Sequence, residues 1–318
     1  MSNTIQINKL PTMTWNRLKV NSAEVEWNDK KTAFLGEDKF SVGCEEEVPP
    51  IRLDLSDEGA EYSEKLISAD VKEDGAVTIF EVCTAKNPFL VKMKLKVGKC
   101  ATIRLVQLLN PSGGAMLRHE TEVDCAENSK IELITIMLGN GGVYSDNLIE
   151  LKGDKSELKT EVAYLGRNSS KIDYNITANH YGKSTKSDIY AAGALMEAAQ
   201  KVFRGSIDFK NGSTDSVGSE NETVLMLGDD AVNKTIPLIL CAEENVEGTH
   251  GATIGELDKE TLFYFESRGI AKAEAENIMA RAAVERLIRL ANDEEFEERA
   301  EGALDAELCK KGDGEQND

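Results

Sequence analysis

The chain has 318 residues, of which 37 are basic and 57 acidic, so its formal charge is −20, and 41% of its residues are hydrophobic. That balance describes a folded, acidic, soluble protein and speaks against nucleic acid or a membrane surface as a direct partner, because anionic phosphates need Lys and Arg that are here outnumbered and scattered. Six widely spaced cysteines, at 44, 83, 100, 125, 241 and 309, exclude a zinc ribbon or a ferredoxin-type cluster and are expected to be free and mostly buried.

Residues 1–10 carry no basic region followed by an apolar run, and no stretch of about 18 uncharged apolar residues occurs anywhere, so a cytoplasmic location is expected. Leu10, Pro11, Trp15, Leu18 and Val20 form an apolar cluster expected to pack on the first structured coil. Residues 28–50 are charged and irregular, closed by Pro49 and Pro50, and read as a linker, which makes 1–50 an N-terminal segment. From about residue 70 to 240 short runs alternate apolar and polar residues with the period of strands: Val91, Met93, Leu95 and Val97, then Leu158, Val162 and Tyr164, then Phe203, Ile207 and Phe209. Two architectures fit, a sandwich of hairpins or a solenoid in which each strand stacks on one a turn earlier. Tight Asn-Gly turns occur only at 140–141 and 211–212, which favours the solenoid, and Gly166, Gly182 and Gly205 suggest coils of 16 to 23 residues.

From Asp258 the period becomes helical. Asp258 caps a helix containing Leu262, Phe263 and Phe265, which Gly269 stops, and a second helix over 272–290 has an apolar stripe of Ala275, Ile278, Ala282 and Leu287. A third, acidic helix spans 293–308, and 311–318 reads as a disordered tail, leaving 51–256 as the β core and 257–310 as a helical region. The aromatic helix is a candidate seal for an open solenoid end.

Enzyme signatures are absent: no phosphate-binding loop, no nucleophile elbow and no Cys close to a His. Only three histidines exist, His119, His180 and His250. His250 is expected at a corner between the last strand and the first helix, and Cys241 is expected in the core.

The string HGATIGELDKETLFYFESRGI, residues 250–270, closely resembles the C-terminal signature of the SufB/SufD family, scaffold proteins of the SUF iron–sulfur cluster assembly system. Phe203-Arg204-Gly205, the run Val224 to Leu227 before Gly228, Ile236-Pro237 and Ala273 to Ala275 follow in family order, and LPTMTW at 10–15 resembles the SufD branch. The resemblance implies a mainly β protein, a right-handed parallel β-helix with a helical C-terminal region and a short N-terminal segment. It also implies a non-catalytic scaffold that pairs with a SufB-like chain, docks the SufC ABC-type ATPase, and holds a transient iron–sulfur cluster at the interface with the partner rather than a stable cofactor of its own; a flavin is left undecided. His250 stands at the position of the SufD histidine implicated in cluster assembly, and Leu262, Phe263, Tyr264, Phe265, Arg268 and Gly269 fall in the helical region that docks the ATPase. The chain departs from the pattern at Gly248, where many SufD proteins have Cys, near Glu222, where SufB has its cluster-assembly cysteine, and at Leu240, where an acidic residue is common. Two other readings stand beside the scaffold: a structural homodimer without a cluster role, and, less well supported by the charge, a β-helix enzyme acting on polysaccharides.

Overall fold

The computed structural model describes residues 3–14 and 16–309; Trp15 and the tail 311–318 lie outside the described residues. The chain coils into a parallel β-solenoid of two facing eight-stranded sheets. The first sheet holds β3 (Thr32–Val42), β5 (Tyr62–Val71), β7 (Phe89–Val97), β9 (Met116–Cys125), β11 (Gly142–Leu151), β13 (Lys171–His180), β15 (Gln200–Phe209) and β17 (Val232–Cys241). The second holds β4 (Ile51–Ser56), β6 (Ala76–Ala85), β8 (Thr102–Pro111), β10 (Lys130–Met137), β12 (Glu157–Gly166), β14 (Lys186–Leu195), β16 (Ser216–Met226) and β18 (Val246–Glu256). Alternate residues of every strand point inward, and their stacked side chains form one continuous core. The solenoid expectation is met, and β3 extends it into residues that read as linker. Of the charges of β3, Glu37 and Lys39 face outward and pair at 3.0 Å, whereas Asp38 shares the inward side with Phe40 and Val42 at the open first coil and pairs there with Lys65 of β5 at 2.8 Å.

One inward column shows the stacking: Ile79, Leu105, Leu133, Thr160, Ile189, Glu220 and His250 are register partners in successive strands of the second sheet. A coil therefore takes 26 residues between Ile79 and Leu105 and 31 between Ile189 and Glu220, more than the glycine spacing suggests. Those glycines mark different things. Gly166 and Gly182 bracket a single strand, half a coil, and Gly205 lies within β15, where an added Cβ would come 2.3 Å from the carboxyl carbon of Glu220.

Gly59, Gly113, Gly114, Gly139 and Gly212 take positive φ at some corners, but other corners place non-glycine residues in that conformation. At one corner Asp74, Cys100, Asn128, Lys155, Ser184 and Asp215 all adopt left-handed backbone with φ between 55° and 61°, save Asn128 at 54°. Each donates its N–H to a carbonyl of the next coil, as Asn128 does to Asp154 at 2.8 Å and Lys155 to Lys183 at 2.8 Å. The ladder thus continues around the bend, which satisfies backbone groups that a loop would leave to water and offsets the roughly 1–2 kcal/mol cost of a left-handed non-glycine residue.

Outward charges on adjacent coils match one another. Lys92 meets Glu64 at 2.7 Å, Lys94 meets Glu122 at 3.1 Å, Lys99 meets Glu127 at 3.0 Å and Lys186 meets Glu157 at 3.5 Å. Each such pair contributes at most about 1 kcal/mol.

The two outer faces are covered differently. An antiparallel hairpin of β1 (Asn3–Ile7) and β2 (Ala23–Trp27) lies over the middle of the first sheet, Ile7, Ala23 and Val25 packing on Met116 and Tyr144, rather than on the first coil. Arg204 fastens it by donating Nε to the Val20 carbonyl at 2.6 Å and by pairing with Asp173, to which Asn8 also donates at 2.6 Å. On the second sheet lie α2 (Lys272–Ile288) and α3 (Glu294–Cys309), preceded by α1 (Lys259–Ser267). Ala280, Val284, Leu287, Ile288, Phe296 and Leu304 pack against outward residues such as Val106, Ile134, Ala163 and Ala194. The buried stripe of α2 is therefore rotated from the expected one: Ala275 and Leu287 are buried, but Ile278 and Ala282 face solvent because the sheet lies on the Ala280–Val284 side. Arg52 grips Asp293 with two bonds of 3.0 and 2.8 Å, and Asp293 caps α3 through the Phe296 N–H at 3.0 Å.

Polar groups inside the core are bonded to one another. Across β6, β8 and β9, His119 Nε2 lies 3.0 Å from Glu81 Oε1, and Gln107 Nε2 donates to Glu81 Oε2 at 2.7 Å. His180 is also fully buried, its nitrogens 2.7 Å from Thr185 Oγ1 and 2.9 Å from Ser187 Oγ, with its ring 4.7 Å from that of Phe209. Burial pushes its pKa from 6.5 down to about 4. The unfolded chain therefore takes up a proton near pH 6.5 that the folded chain refuses until about pH 4, and stability falls across that window as pH drops. The loss is expected to be about 3 kcal/mol. Urea midpoints of the wild type and of His180→Gln, compared at about pH 7 and at about pH 4.5, near the lower end of the window, test this: equal pH dependence in the two proteins would remove His180 from the account.

Candidate functional site

The solenoid stops at β17 and β18, each paired on one side only, with β15 and β16. His250 lies in the middle of β18 and not at a corner. Because register partners in a parallel sheet share a face, it points inward above Glu220, yet it is exposed because no further coil covers it.

Directly beneath lies a charged cluster. Lys201 and Glu222 form an ion pair with side chains 1% and 0% exposed. Glu222 also accepts from Tyr164 at 3.0 Å and from Thr235, on the terminal strand β17, at 2.5 Å. The Lys201 ammonium sits 5.4 and 5.5 Å from the ring centres of Tyr164 and Phe203. Burial pushes Lys201 down to about 8, against the pull of Glu222. Glu220, 2% exposed, rises to about 8, first through burial and then through the nearby Glu222 charge, and its Oε2 has no hydrogen-bond partner. Two carboxyl groups and one ammonium thus share the floor below His250; Glu222 is matched by the ammonium, and Glu220, raised to about 8, is mostly protonated at neutral pH.

The departures from the family pattern take a physical form here. A Cβ at Gly248 would meet Ile239 Cγ2 at 2.9 Å and Phe209 Cε2 at 3.2 Å, so a cysteine there requires Ile239 to move. Glu222 points into the core and is fully committed to its bonds. Cys241 is exposed, at the end of the terminal strand β17, and is not in the core, because the next coil that would bury it does not exist. Cys83 and Cys125 are buried; Cys44, Cys100 and Cys309 are exposed as well. Among the described residues, no three or more His, Cys, Asp or Glu side chains are arranged to hold a metal ion.

The helix α1 does not seal the end. None of its residues is buried, Leu262 and Phe265 are half-buried, and Phe263 and Tyr264 are 71% and 55% exposed. Arg268 lies over the Tyr264 ring at 4.9 Å, and Gly269 ends the helix at φ 82°, as expected of a left-handed stop. Asp258 caps it by accepting from Glu260 and Thr261 N–H at 3.0 and 2.8 Å. Reading the sequence did not single out Lys201 or Glu220. The signal was present, since strand alternation through Phe203, Ile207 and Phe209 sets Lys201 on the inward side, where a charge is an anomaly.

Comparison with known proteins bears on this arrangement. Residues 55–283, well over half of the chain, match the family model described as "SUF system FeS cluster assembly, SufBD core domain". The chain belongs to the SufB/SufD family. Within it, this SufD-like chain is 27% identical over 253 residues to the iron–sulfur cluster assembly protein SufD of Bacillus subtilis, covering 78% of this chain and 57% of that protein. It is 24% identical over 230 residues to a SufBD family protein of Pyrococcus horikoshii, covering 70% and 51%, and 24% identical over 169 residues to SufD of Escherichia coli, covering 53% and 40%. The chain spans about half the length of the curated SufB/SufD relatives it matches. Lys201, Glu220, Glu222, His250 and α1 all fall inside the matched SufBD core. Among the described residues no helix is long and apolar enough to cross a membrane.

Proposed function

We propose that this chain is a non-catalytic, SufD-type scaffold of iron–sulfur cluster assembly, which pairs with a SufB-like chain at the open end of its solenoid and docks an ABC-type ATPase through α1. The observation that carries this reading is His250, inward-facing yet exposed on a terminal strand, where a second chain completing the barrel would enclose it. Imidazole binds iron and still releases it, which suits a ligand to a cluster that is cargo. With Gly248 and Glu222 at the family's cysteine positions, this chain offers no thiolate beside His250, so the partner supplies the sulfur ligands. Phe263 and Tyr264 support the docking role, being large apolar groups held on a rigid, capped helix and left uncovered.

The test is affinity purification of the tagged chain from its own cells with identification of what accompanies it. A SufC-like ATPase and a SufB-like chain are expected together. Phe263→Asp with Tyr264→Asp is expected to lose the ATPase at least tenfold while retaining the SufB-like chain, since two aromatic anchors of about 2 kcal/mol each are removed. Recovery of the chain alone sinks the scaffold reading.

A further inference from the structure

We propose that the cleft between the N-terminal hairpin and the outer face of the first sheet binds a small organic phosphate, held by Lys19, Lys171 and Arg204. The cleft lies on the face of the solenoid opposite α2 and α3, and the scaffold reading does not require it.

Its volume of about 530 Å³ falls within the range of small-molecule sites. The floor is the outward face of β11, β13 and β15, where Tyr144, Asp173 and Val202 are register partners and Lys171 and Arg204 stand on either side of that row. The wall is the stretch 19–24, which leads into β2. Arg204 is 1% exposed, yet its guanidinium is only partly used: Nε donates to the Val20 carbonyl at 2.6 Å, Nη1 pairs with Asp173, and Nη2 has no hydrogen-bond partner among the described residues. Nη2 is not sealed in the core, so its two N–H groups are open to the cleft that Arg204 lines. Lys19 is fixed beside it by the bonds on either side of it in the chain. The Leu18 carbonyl accepts from Lys234 at 3.4 Å and the Val20 carbonyl from Arg204, while Lys19 itself takes left-handed backbone at φ 51°.

The charges around the cleft are not balanced. Elsewhere on this sheet face lysines meet carboxylates, as Lys92 does Glu64 and Lys94 does Glu122, and acids outnumber bases in the chain by 57 to 37. Lys19 and Lys171 nevertheless are in no ion pair among the described residues. Asp173 is committed to Arg204 and Asn8, and Glu24, the other acid of the lining, is exposed on the side of β2 opposite the buried Ala23 and Val25. Cations gathered without a counter-charge repel one another, and an anion entering between them relieves the repulsion. Three donors from three elements suit the three oxygens of a phosphate monoester better than the two of a carboxylate. Tyr144, Val202 and Ala23 give the same cleft an apolar side, which suits an organic phosphate over the inorganic ion.

The test is calorimetric titration of the full chain with phenyl phosphate at about 50 mM salt, where charges are weakly screened. A Kd below about 1 mM is expected. Benzoate, which offers the same ring and a carboxylate, should bind at least roughly tenfold more weakly. Lys19→Gln and Lys171→Gln alter exposed, unpaired side chains, so both variants should keep the wild-type urea midpoint. Each should weaken phenyl phosphate roughly fivefold, the worth of one charge at about 4 Å in water, and the two together roughly twentyfold. Lys92→Gln, on the same face outside the cleft, should leave binding unchanged. Bound phenyl phosphate should also slow hydrogen exchange in β1 and β2. No binding at about 10 mM, benzoate binding as tightly as phenyl phosphate, or a Lys19→Gln Lys171→Gln variant that binds like the wild type overturns the proposal. None of these results bears on which chains co-purify, so the scaffold reading stands or falls separately.

Discussion

Lys201→Met is expected to destabilise the protein by about 3–5 kcal/mol, because it leaves the Glu222 carboxylate buried with no counter-charge. Methionine fills much of the space of the lysine stem, so packing against Tyr164 and Phe203 changes little and the loss reports the charge. The two hydroxyls that donate to Glu222, from Tyr164 and Thr235, remain but cannot replace an ammonium. Glu222→Gln in the same chain removes the orphaned charge and keeps a group able to accept from both hydroxyls, so the double variant should recover most of the lost stability. Urea unfolding of the two single variants and the double variant gives the coupling energy. A double variant as unstable as the two losses added would show that the pair acts through packing and not through charge. Thr235 ties this cluster to β17, so the Lys201→Met variant should also loosen the terminal coil first, which hydrogen exchange along β17 and β18 would register.

His250→Ala is expected to do the opposite, costing little stability and much function. The side chain is exposed and has no ion pair among the described residues, so its removal should change stability by no more than about 0.5 kcal/mol. In cells that depend on this chain, activity of iron–sulfur enzymes should fall roughly tenfold or more, the loss usual when a metal site forfeits a contributing group. Recovery of the SufB-like chain and the ATPase by purification should be unchanged. His250→Cys separates ligand from shape: a thiolate binds iron and should restore part of the activity, whereas Ala and Gln should not. Iron–sulfur enzyme activity unaltered in His250→Ala cells would favour the structural homodimer.

The strand alternation made the β core legible because buried-in, charged-out patterning is strong wherever a sheet has one face on a core. Val91, Met93, Leu95 and Val97 are buried in alternation with Lys92, Lys94 and Lys96, and the phase read from the sequence is the phase observed. The coil length was not legible. Its corners use Cys100, Lys155 and Ser184 in left-handed conformation, residues that do not announce a turn, because the backbone bonds to the next coil hold them there. Burial of α2 misled for a related reason: an amphipathic stripe gives a helix an inner face, but the apolar sheet face it lies on decides how far that face is rotated. In the site, His250 was visible through the motif around it. Lys201 could have been found from its phase with Phe203, Ile207 and Phe209, whereas Glu220 stands in a mostly polar stretch, Ser216 to Thr223, where only the stacking of columns tells an inward charge from an outward one.

Stacking of that kind gives the molecule a graduated scale. Six register steps separate Ile79 from His250, at about 4.8 Å per step, so the histidine stands roughly 29 Å along the axis whatever the lengths of the coils between them. Coils of 26 and of 31 residues advance the chain by the same increment, the surplus being spent at the corners. Inserting or deleting residues at a corner therefore leaves the separation between the helices on the second sheet and the terminal histidine untouched. Only gain or loss of an entire coil alters it, and then by one whole graduation.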